Sequence, residues 1–565
     1  MHYAELKAAW AELTGPGAPF ELERKDIRGA PLLCYKNAPA TIRDFWRSTL
    51  VYGERDYLVF GEERITYAEA HRIVASVANW ILTHKFHKGE RVAIAMRNYP
   101  EWMLVYWACA SLGVPVVGMN AWWTAEEMAY AFNDSEPRVA FVDSERLARI
   151  RERPEMAANV QIVGVRTGDQ PNVIPWAEVA SHGGELPDAT INPDDDACIF
   201  YTSGTTGFPK GAQLTHRGCM ANLFNLVFCA QVQALATQRA TGVLVDPAAP
   251  APVPKGLVVT PLFHVTANNC AAYLITAAGG ALVLMYKWDA GEALKLIERE
   301  QITALSGVPV MAREVITHPD FAKTDTSSLQ SLGGGGAQLQ PDLVAKIDQA
   351  VASARPNTGY GMTETCGVIS SVSGDFFIDR PASAGPVLPT LEAKCVDDEG
   401  HAVAQGEIGE LWVRGSPVIK GYLNRPEATA ETITDGWLHT GDVARMDADG
   451  FIYIVDRKKD MVLRGGENIY CAEVEACLHR HPAVAECSVF GVPDARLGEE
   501  VGVALMLRPG HQATPAELRE HCAANIAKHK TPRYIWISAE PLPRNANGKF
   551  LKRQLRDTLK LEDAV

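Results

Sequence analysis

The spacing of apolar positions alternates along the chain between about residue 60 and residue 370. Residues 67–85, YAEAHRIVASVANWILTHK, have the amphipathic spacing of a helix, and apolar runs typical of buried strands follow at RVAIAM (91–96), VPVVGMN (114–120), RVAFVD (138–143) and QIVGV (161–165). Repeated strand–helix–strand units predict largely parallel sheets covered by helices. The sequence therefore predicts an α/β fold.

Two uncharged runs, Met103–Trp123 and Val265–Tyr286, are long enough to be tested as membrane spans. Each contains breaking residues late in the run: Gly113 and Pro115 in the first, Gly279 and Gly280 in the second. The β-rich pieces VPVVGM and ALVLMY then follow. We therefore expect a buried helix, a turn and a buried parallel strand in each run, and no integral membrane association.

The pattern changes again after Gly385. Short strand-like segments with frequent Gly, Asp and Pro turns continue to Arg457, as in GEIGELWVRG, and predict a small barrel or meander. A charged cluster, DRKKD, and a compact α+β tail follow. We therefore predict a large N-terminal domain over residues 1–458 and a small C-terminal domain over residues 459–565.

Charge and cysteine usage narrow the class of protein. With 68 acidic and 54 basic residues among 565, the formal charge is −14, which disfavours nucleic acid and anionic membranes as partners. The twelve cysteines are scattered without a C-x-x-C pair, and the N-terminus MHYAELKAAWAELTG lacks the apolar core of a secretory signal. These features predict a cytoplasmic protein with reduced, mostly buried thiols.

Residues 201–212, YTSGTTGFPKGA, follow the apolar strand ACIFY and combine glycines, hydroxyls and one lysine. Glycines let backbone N–H groups point at an anion, and the lysine adds a charge, so the loop is interpreted as a polyphosphate cradle. It departs from the P-loop signature, because Pro209 precedes Lys210 and Gly211 replaces the Ser or Thr that holds Mg²⁺. Taken alone, the loop is equally well explained as an ordinary Gly/Thr-rich turn.

Further motifs follow in a fixed order: SLGGGGAQL (331–339), NTGYGMTET (357–365), GYLNRPEATAETITDGWLHTGD (421–442), GFIYIVDRKKDMVLRGGENIYCAEVE (450–475) and LPRNANGKFLKR (542–553). From about residue 40 to 555 the chain resembles the AMP-forming acyl-CoA synthetases of the adenylate-forming family. That family also contains carrier-protein adenylation domains and firefly luciferase. The resemblance implies a large domain of two helix-covered sheets with a small distorted β-barrel, and a mobile C-terminal lid.

The resemblance also implies the substrates and their sites. ATP, with Mg²⁺, and a carboxylic acid would give acyl-AMP, and coenzyme A would then displace AMP. Tyr360 would lie against the adenine, Thr363 would contact the α-phosphate, and Asp442 with Arg457 would bind the ribose. Glu364 and Thr206 would bind the metal. The remaining ATP- or AMP-binding residues implied are Thr202, Ser203, Gly204, Thr205, Gly207, Lys210, Gly334, Gly335, Gly336, Ala337, Gly361 and Met362.

Roles in the two half-reactions follow from the same resemblance. Lys549 would bridge the carboxylate and the α-phosphate during adenylation, and His264 would lie near the reacting acyl carbon and the thiol path. Lys459 would be the hinge about which the C-terminal domain rotates. In the second orientation the pantetheine tunnel would be lined by Gly465, Gly466 and Glu467.

The sequence gives little information about which carboxylic acid is the substrate. Some long-chain members of the family carry an aromatic gate shortly after the histidine, where this chain has Asn268 and Asn269. We predict a medium- or long-chain fatty acid, with an aryl or arylpropenoic acid as the alternative. Loading of a carrier protein, a light-emitting oxidation and a non-catalytic nucleotide-binding protein also stay open, as does a homodimer.

Overall fold

The computed structural model describes residues 3–202, 208–242, 253–337, 339–465, 467–545 and 548–564. The chain divides into two compact units: Met1–Glu392 with Val413–Leu438, and Ala393–Trp412 with His439–Val565. Each unit is described by itself. The domain boundary at residues 458/459 stays a prediction.

The α-helices of the described residues are α1 Tyr3–Thr14, α2 Ile42–Ser48, α3 Tyr67–Leu82, α4 Pro100–Leu112, α5 Ala125–Ser135, α6 Ser144–Glu152, α7 Trp176–Ala180, α8 His216–Thr241, α9 Tyr273–Ala277, α10 Ala290–Glu300, α11 Pro309–Thr317, α12 Pro341–Ala350, α13 Gly374–Asp379, α14 Pro426–Thr432, α15 Cys471–His479, α16 Pro515–Asn525 and α17 Lys552–Thr558.

The strands are β1 Leu22–Ile27, β2 Ala30–Tyr35, β3 Asp56–Phe60, β4 Glu63–Thr66, β5 Arg91–Ala95, β6 Val116–Gly118, β7 Pro137–Val142, β8 Gln161–Gly164, β9 Ile174–Pro175, β10 Asp196–Thr202, β11 Lys210–Thr215, β12 Lys255–Val258, β13 Ala281–Leu284, β14 Ala304–Gly307, β15 Ser331–Gly335, β16 Arg355–Met362, β17 Gly367–Ser373, β18 Gly385–Pro386, β19 Leu391–Val396, β20 Gly409–Gly415, β21 Ile433–Thr434, β22 Trp437–Met446, β23 Phe451–Arg457, β24 Val462–Arg464, β25 Glu467–Ile469, β26 Val484–Asp494, β27 Gly498–Leu507 and β28 Tyr534–Ser538.

Two large sheets form the core of the first unit. The seven-stranded sheet has the order β11-β10-β6-β5-β7-β8-β9, and the eight-stranded sheet has the order β17-β16-β15-β14-β12-β13-β3-β4. Their interior strands pair in parallel, whereas β11, β17 and β4 lie antiparallel at sheet edges. The predicted parallel α/β architecture is confirmed.

Both apolar runs are core structure, as predicted. In the first, α4 ends at Leu112, and Gly113 caps it in a left-handed conformation before the buried strand β6. In the second, a π-helix over Thr266–Ala272 leads through α9 to the buried strand β13. Among the described residues one helix, α8, is long and apolar enough to cross a membrane, and most of its apolar window is buried inside the protein.

The second unit contains the α+β tail. Strands β24 to β28 form one sheet in which β26 and β27 pair antiparallel over their full length, and β28 adds to β27 in parallel. A separate buried core lies between this sheet and helices α15 and α16. All twelve cysteines are free thiols, and all except the half-buried Cys270 are buried. The predicted compact α+β tail and the predicted burial of most thiols are confirmed.

Candidate active site

Several predicted site residues lie at one edge of the eight-stranded sheet. The neighbouring strands β12, β14, β15 and β16 are parallel, so their carboxyl ends meet at the same edge. His264 follows β12, residues 334–337 lie at the end of β15, and residues 360–364 lie at the end of β16 and just beyond it. The fold therefore brings together three motifs that are widely separated in sequence.

Two glycines at this edge are required by neighbouring backbone. Gly334 has φ +141°, and a Cβ there would lie 1.9 Å from the carbonyl oxygen of Gly307 on the adjacent strand. A Cβ on Gly361 would lie 1.8 Å from the carbonyl oxygen of Gly367. The resemblance assigns both glycines to the ATP- or AMP-binding site. The packing of adjacent strands provides a reason that does not depend on a ligand.

Replacing Gly334 by alanine should therefore lower the free energy of unfolding by about 3 kcal/mol, through strain and a backbone clash. Urea denaturation followed by circular dichroism measures this change. Gly359→Ala is the matched control, because the nearest atom to a Cβ there is Val368 Cγ1, at an ordinary 3.4 Å. Equal stability of the two variants would contradict the packing argument.

The two ends of the predicted phosphate loop face each other. Thr202 ends β10 and Lys210 begins β11, and these two residues are paired across the antiparallel ladder. In the second half of the loop, Tyr130 stacks on Phe208 with ring centroids 4.7 Å apart and donates a hydrogen bond of 3.1 Å to the carbonyl oxygen of Pro209. The loop residues Ser203, Gly204, Thr205, Thr206 and Gly207 lie outside the described residues.

The predicted metal-binding carboxylate, Glu364, is buried with 7% of its surface exposed. Its Oε1 accepts a hydrogen bond of 2.7 Å from the hydroxyl of Tyr422, while Oε2 accepts none from the residues that the structure describes. Burial, followed by the nearby Glu364 charge, raises the pKa of Tyr422 well above its usual value, which keeps this hydroxyl a donor. One carboxylate oxygen is thus held by a hydrogen bond, and the other is available as a metal ligand. This arrangement fits a hard cation such as Mg²⁺.

Lys210 lies against the same tyrosine. Its Nζ is 4.6 Å from the centroid of the Tyr422 ring, which is a cation–π contact. No ion pair joins Lys210 to any of the described residues, so its charge is available to an anion. Sequence reasoning assigned no role to Tyr422, although the residue stands in the quoted motif GYLNRPE.

His264 is fixed at its backbone and at its ring. Its Nδ1 accepts a hydrogen bond of 3.3 Å from the backbone N–H of Thr266 and lies 3.1 Å from that residue's hydroxyl. The neutral ring therefore carries its proton on Nε2. The buried amide of Asn98 bonds the carbonyl oxygen of Thr260 and the N–H of Leu262, each at 2.9 Å, and so positions the segment before the histidine. Asn98 was missed, because a single asparagine after a strand has no sequence signal.

In the second unit, the predicted ribose-binding residues are brought together. Asp442 and Arg457 are paired in register on β22 and β23, and Arg457 Nε lies 3.0 Å from Asp442 Oδ1. The aspartate is buried, with 4% of its surface exposed, whereas the guanidinium side chain is largely exposed. The pair therefore presents a fixed carboxylate beside a cation that can reach a ligand.

Lys549 is exposed on a short loop. Hydrogen bonds between Asn545 and the backbone of Lys549 stabilise this loop. Asn545 N–H donates to the Lys549 carbonyl at 2.8 Å, and Asn545 Oδ1 accepts from the Lys549 N–H at 3.0 Å. Arg544 donates to the carbonyl of Gly548 at 2.8 Å and lies over the Phe550 ring. The loop thus positions Lys549 through two residues that sequence reasoning did not single out, Arg544 and Asn545.

The remaining predicted residues of this unit lie in or beside turns. Lys459 is exposed in the turn after β23, and Gly465 has φ +60° between β24 and β25. Glu467 is exposed at the start of β25, and Gly466 lies outside the described residues. These positions are compatible with a hinge and a tunnel wall, and both roles stay predictions.

A buried carboxylate lies beside the predicted hinge. Asp456 accepts a hydrogen bond of 2.7 Å from the Arg457 N–H, and burial raises its pKa to about 6. The folded state therefore binds a proton more tightly than the unfolded chain does, and Asp456 contributes stability that is lost as the pH rises from about 4 to about 6.

Relative to Asp456→Asn, the wild type should therefore lose on the order of 2–3 kcal/mol of unfolding free energy between pH 4 and pH 7. Urea denaturation of both proteins across this range measures the difference. Asp557→Asn, at an exposed ion pair, is the control and should show a flat difference. A flat difference for Asp456→Asn as well would show that burial does not shift this carboxyl.

The chain belongs to the AMP-binding enzymes. The family model for the AMP-binding enzyme matches residues 45–423, and the model for the C-terminal domain of that enzyme matches residues 473–549. Both large sheets and the motifs at the carboxyl edge lie within the first match. Most of the α+β tail lies within the second. The class is that of AMP-forming acid–thiol ligases.

Relatives of this chain include ligases that are named for an aromatic acid and for long-chain fatty acids. The chain is 34% identical to a feruloyl-CoA synthase of Amycolatopsis sp over 88% of this chain and 94% of the relative. It is 33% identical to a long-chain-fatty-acid–CoA ligase of Salmonella typhimurium over 83% of this chain and 85% of the relative. A crystal structure of the anthranilate CoA ligase AuaEII in complex with anthranoyl-AMP matches with a TM-score of 0.81 and 25% identity, over 92% of this chain and 98% of that one.

Proposed function

We propose that the protein activates a carboxylic acid with ATP to give acyl-AMP and pyrophosphate, and then transfers the acyl group to coenzyme A with release of AMP. The observation that carries this proposal is that Lys210 and Glu364 contact the same tyrosine. Lys210 supplies a cation, and Glu364 supplies a carboxylate with one oxygen available to a metal. Polyphosphate chemistry needs such an arrangement, because negative charge must be met by positioned donors. The named ligases among the relatives support the same reaction.

In this proposal each residue has a defined task in the first half-reaction. Lys210 and the loop that precedes it bind the β- and γ-phosphates, and Thr363 donates to the α-phosphate. Tyr360 and the glycine-rich backbone at residues 334–337 enclose the adenine, while Asp442 accepts from the ribose hydroxyls. Glu364 Oε2 would ligate Mg²⁺, which supplies charge neutralisation on the phosphates. Lys549 places its ammonium between the carboxylate and the α-phosphate.

The second half-reaction requires that the thiol reach the acyl carbon. We propose that the small domain rotates about Lys459, which removes Lys549 and brings residues 465–467 to the thiol path. His264, with its proton on Nε2, lies beside that path. Because water competes with the thiol for the acyl carbon, the timing of the domain rotation protects the acyl-AMP from hydrolysis.

A proline at position 459 should restrict the hinge and slow thioester formation from supplied acyl-AMP more than it slows acyl-AMP formation. Pyrophosphate exchange and thioester formation are measured separately in single-turnover experiments. Lys458→Ala is the matched neighbour, because its ammonium pairs with Asp398 and Glu410 on the same unit. An unchanged coenzyme A step in Lys459→Pro would remove the hinge assignment.

For the acid we propose a medium- or long-chain fatty acid. An arylpropenoic acid is the second candidate, favoured by the similarity to a feruloyl-CoA synthase. The test is acid-dependent release of AMP and pyrophosphate with ATP and Mg²⁺ over fatty, aryl and amino acids, each with and without coenzyme A. Turnover that requires coenzyme A supports the proposal and identifies the acid.

Two other results would replace the proposal. Pyrophosphate release that gains nothing from coenzyme A would indicate a carrier protein as the acceptor. Binding of ATP without release of AMP for any acid would indicate a non-catalytic nucleotide-binding protein.

A further inference from the structure

Tyr422 contacts both of the charged groups on which the proposed adenylation depends. Its hydroxyl donates to Glu364 Oε1 at 2.7 Å, and its ring lies under Lys210 Nζ at 4.6 Å from the centroid. Tyr422 and Glu364 are both buried, each with 7% of its surface exposed. One side chain therefore contacts two residues that lie 154 positions apart in the sequence, residues 210 and 364.

The backbone around Tyr422 connects the two large sheets. On one side it lies antiparallel to β11, with hydrogen bonds from Gln213 N to the Gly421 carbonyl at 2.9 Å and from Leu423 N to the Gly211 carbonyl at 2.8 Å. On the other side Ile419 N donates to the carbonyl of Glu364 at 2.9 Å. The segment thus joins the edge of the seven-stranded sheet to the end of β16 in the eight-stranded sheet.

Tyr422 is itself fixed on this segment. Its N–H donates to the hydroxyl of Thr429 at 2.9 Å, and that hydroxyl donates to the carbonyl of Arg425 at 2.9 Å. Burial removes most of the rotational freedom of the ring. A ring held in this way can fix the positions of the groups that contact it, because a hydrogen bond and a cation–π contact both depend on geometry.

We propose that Tyr422 is a positioning residue that sets the relation between the phosphate-binding Lys210 and the metal-binding Glu364. This inference rests on the proposed function. The hydroxyl holds Oε1 so that Oε2 is directed to the cation, and the ring face holds the ammonium so that it meets the phosphates. Partners that orient a metal ligand in this way commonly change metal affinity by about 10- to 100-fold when they are removed.

The two contacts can be separated by substitution. Tyr422→Phe keeps the ring under Lys210 and removes only the hydrogen bond to Glu364. It should raise the Mg²⁺ concentration that half-saturates ATP binding by about 10-fold, with little change in ATP affinity at saturating Mg²⁺. Tyr422→Leu removes both contacts and should weaken ATP binding at saturating Mg²⁺ as well. Isothermal titration calorimetry of the full chain with ATP, at several Mg²⁺ concentrations and without acid, measures both quantities.

Two controls make the result specific. Tyr3→Phe removes another tyrosine–carboxylate hydrogen bond, 2.8 Å to Asp379, at a site remote from both charged groups, and should behave as wild type. In a Glu364→Gln background, Tyr422→Phe should add less than a 2-fold effect, because the oriented carboxylate is already gone. A merely structural role for Tyr422 would change the thermal midpoint without changing the Mg²⁺ dependence.

The outcomes separate this inference from the proposed function. Mg²⁺-dependent ATP binding by the wild type, together with an unchanged Mg²⁺ requirement in Tyr422→Phe, overturns the positioning role and leaves the proposed function standing. A wild type that does not bind ATP at any Mg²⁺ concentration overturns both. Equal effects of Tyr422→Phe in the wild-type and Glu364→Gln backgrounds would also overturn the inference, because the hydroxyl would then act elsewhere.

Discussion

Replacing Lys549 by alanine should slow acyl-AMP formation by at least about 100-fold, because the transition state loses the cation between the carboxylate and the α-phosphate. Thioester formation from supplied acyl-AMP should continue at close to the wild-type rate, since the proposed second half-reaction proceeds with this lysine removed from the reacting atoms. Exchange of labelled pyrophosphate into ATP reports the first half-reaction. Rapid-quench measurement of the thioester reports the second.

Arg553→Ala is the matched control for this variant. Arg553 is also an exposed cation of the C-terminal tail, four positions further on, and its 3.7 Å ion pair with Asp557 is exposed on both sides. Such a pair contributes little, so the control should retain both half-reactions. Equal impairment of both steps in Lys549→Ala would contradict the division of labour between the two orientations of the small domain.

Much of the fold can be predicted from local pattern. The alternation of helical and apolar segments predicted the parallel sheets, and the glycine and proline breakers correctly placed α4 with β6, and α9 with β13, inside the core. These predictions succeed because the spacing of apolar residues and the chemistry of turns are local properties. The order of motifs was equally informative, and the family match bears out the resemblance.

Partnerships between distant residues could not be predicted in this way. Tyr422 meets Glu364 only because residues 420–423 pair with β11 while the Ile419 N–H donates to the carbonyl of Glu364, two residues beyond the end of β16. Asn98 reaches Leu262 across 164 positions, and the clash that requires Gly334 arises from a neighbouring strand. Each depends on strand order and register, which periodicity does not specify. The acid is poorly predicted for a related reason, since a pocket wall is assembled from single residues on several elements.

Replacing Glu364 by glutamine should reduce acyl-AMP formation by at least about 100-fold, by removing the charge that would bind Mg²⁺. The amide oxygen can still accept the Tyr422 hydrogen bond, so the local packing and the thermal midpoint should change little. Raising the Mg²⁺ concentration should restore only part of the rate, because an amide is a weaker ligand for a hard cation than a carboxylate. Pyrophosphate exchange across a Mg²⁺ series, with calorimetry of ATP binding, measures both effects.

Glu101→Gln is the matched control for this last prediction. Glu101 lies on α4 and is as buried as Glu364, with 7% of its surface exposed, and its carboxylate pairs with Arg166 at 3.0 Å. It tests whether loss of any buried carboxylate is enough to impair the enzyme. If both variants lose activity in proportion to their loss of stability, Glu364 is a structural residue. If only Glu364→Gln loses activity and also shifts the Mg²⁺ dependence, the carboxylate acts on the metal, and the tyrosine that holds it contributes to the same task.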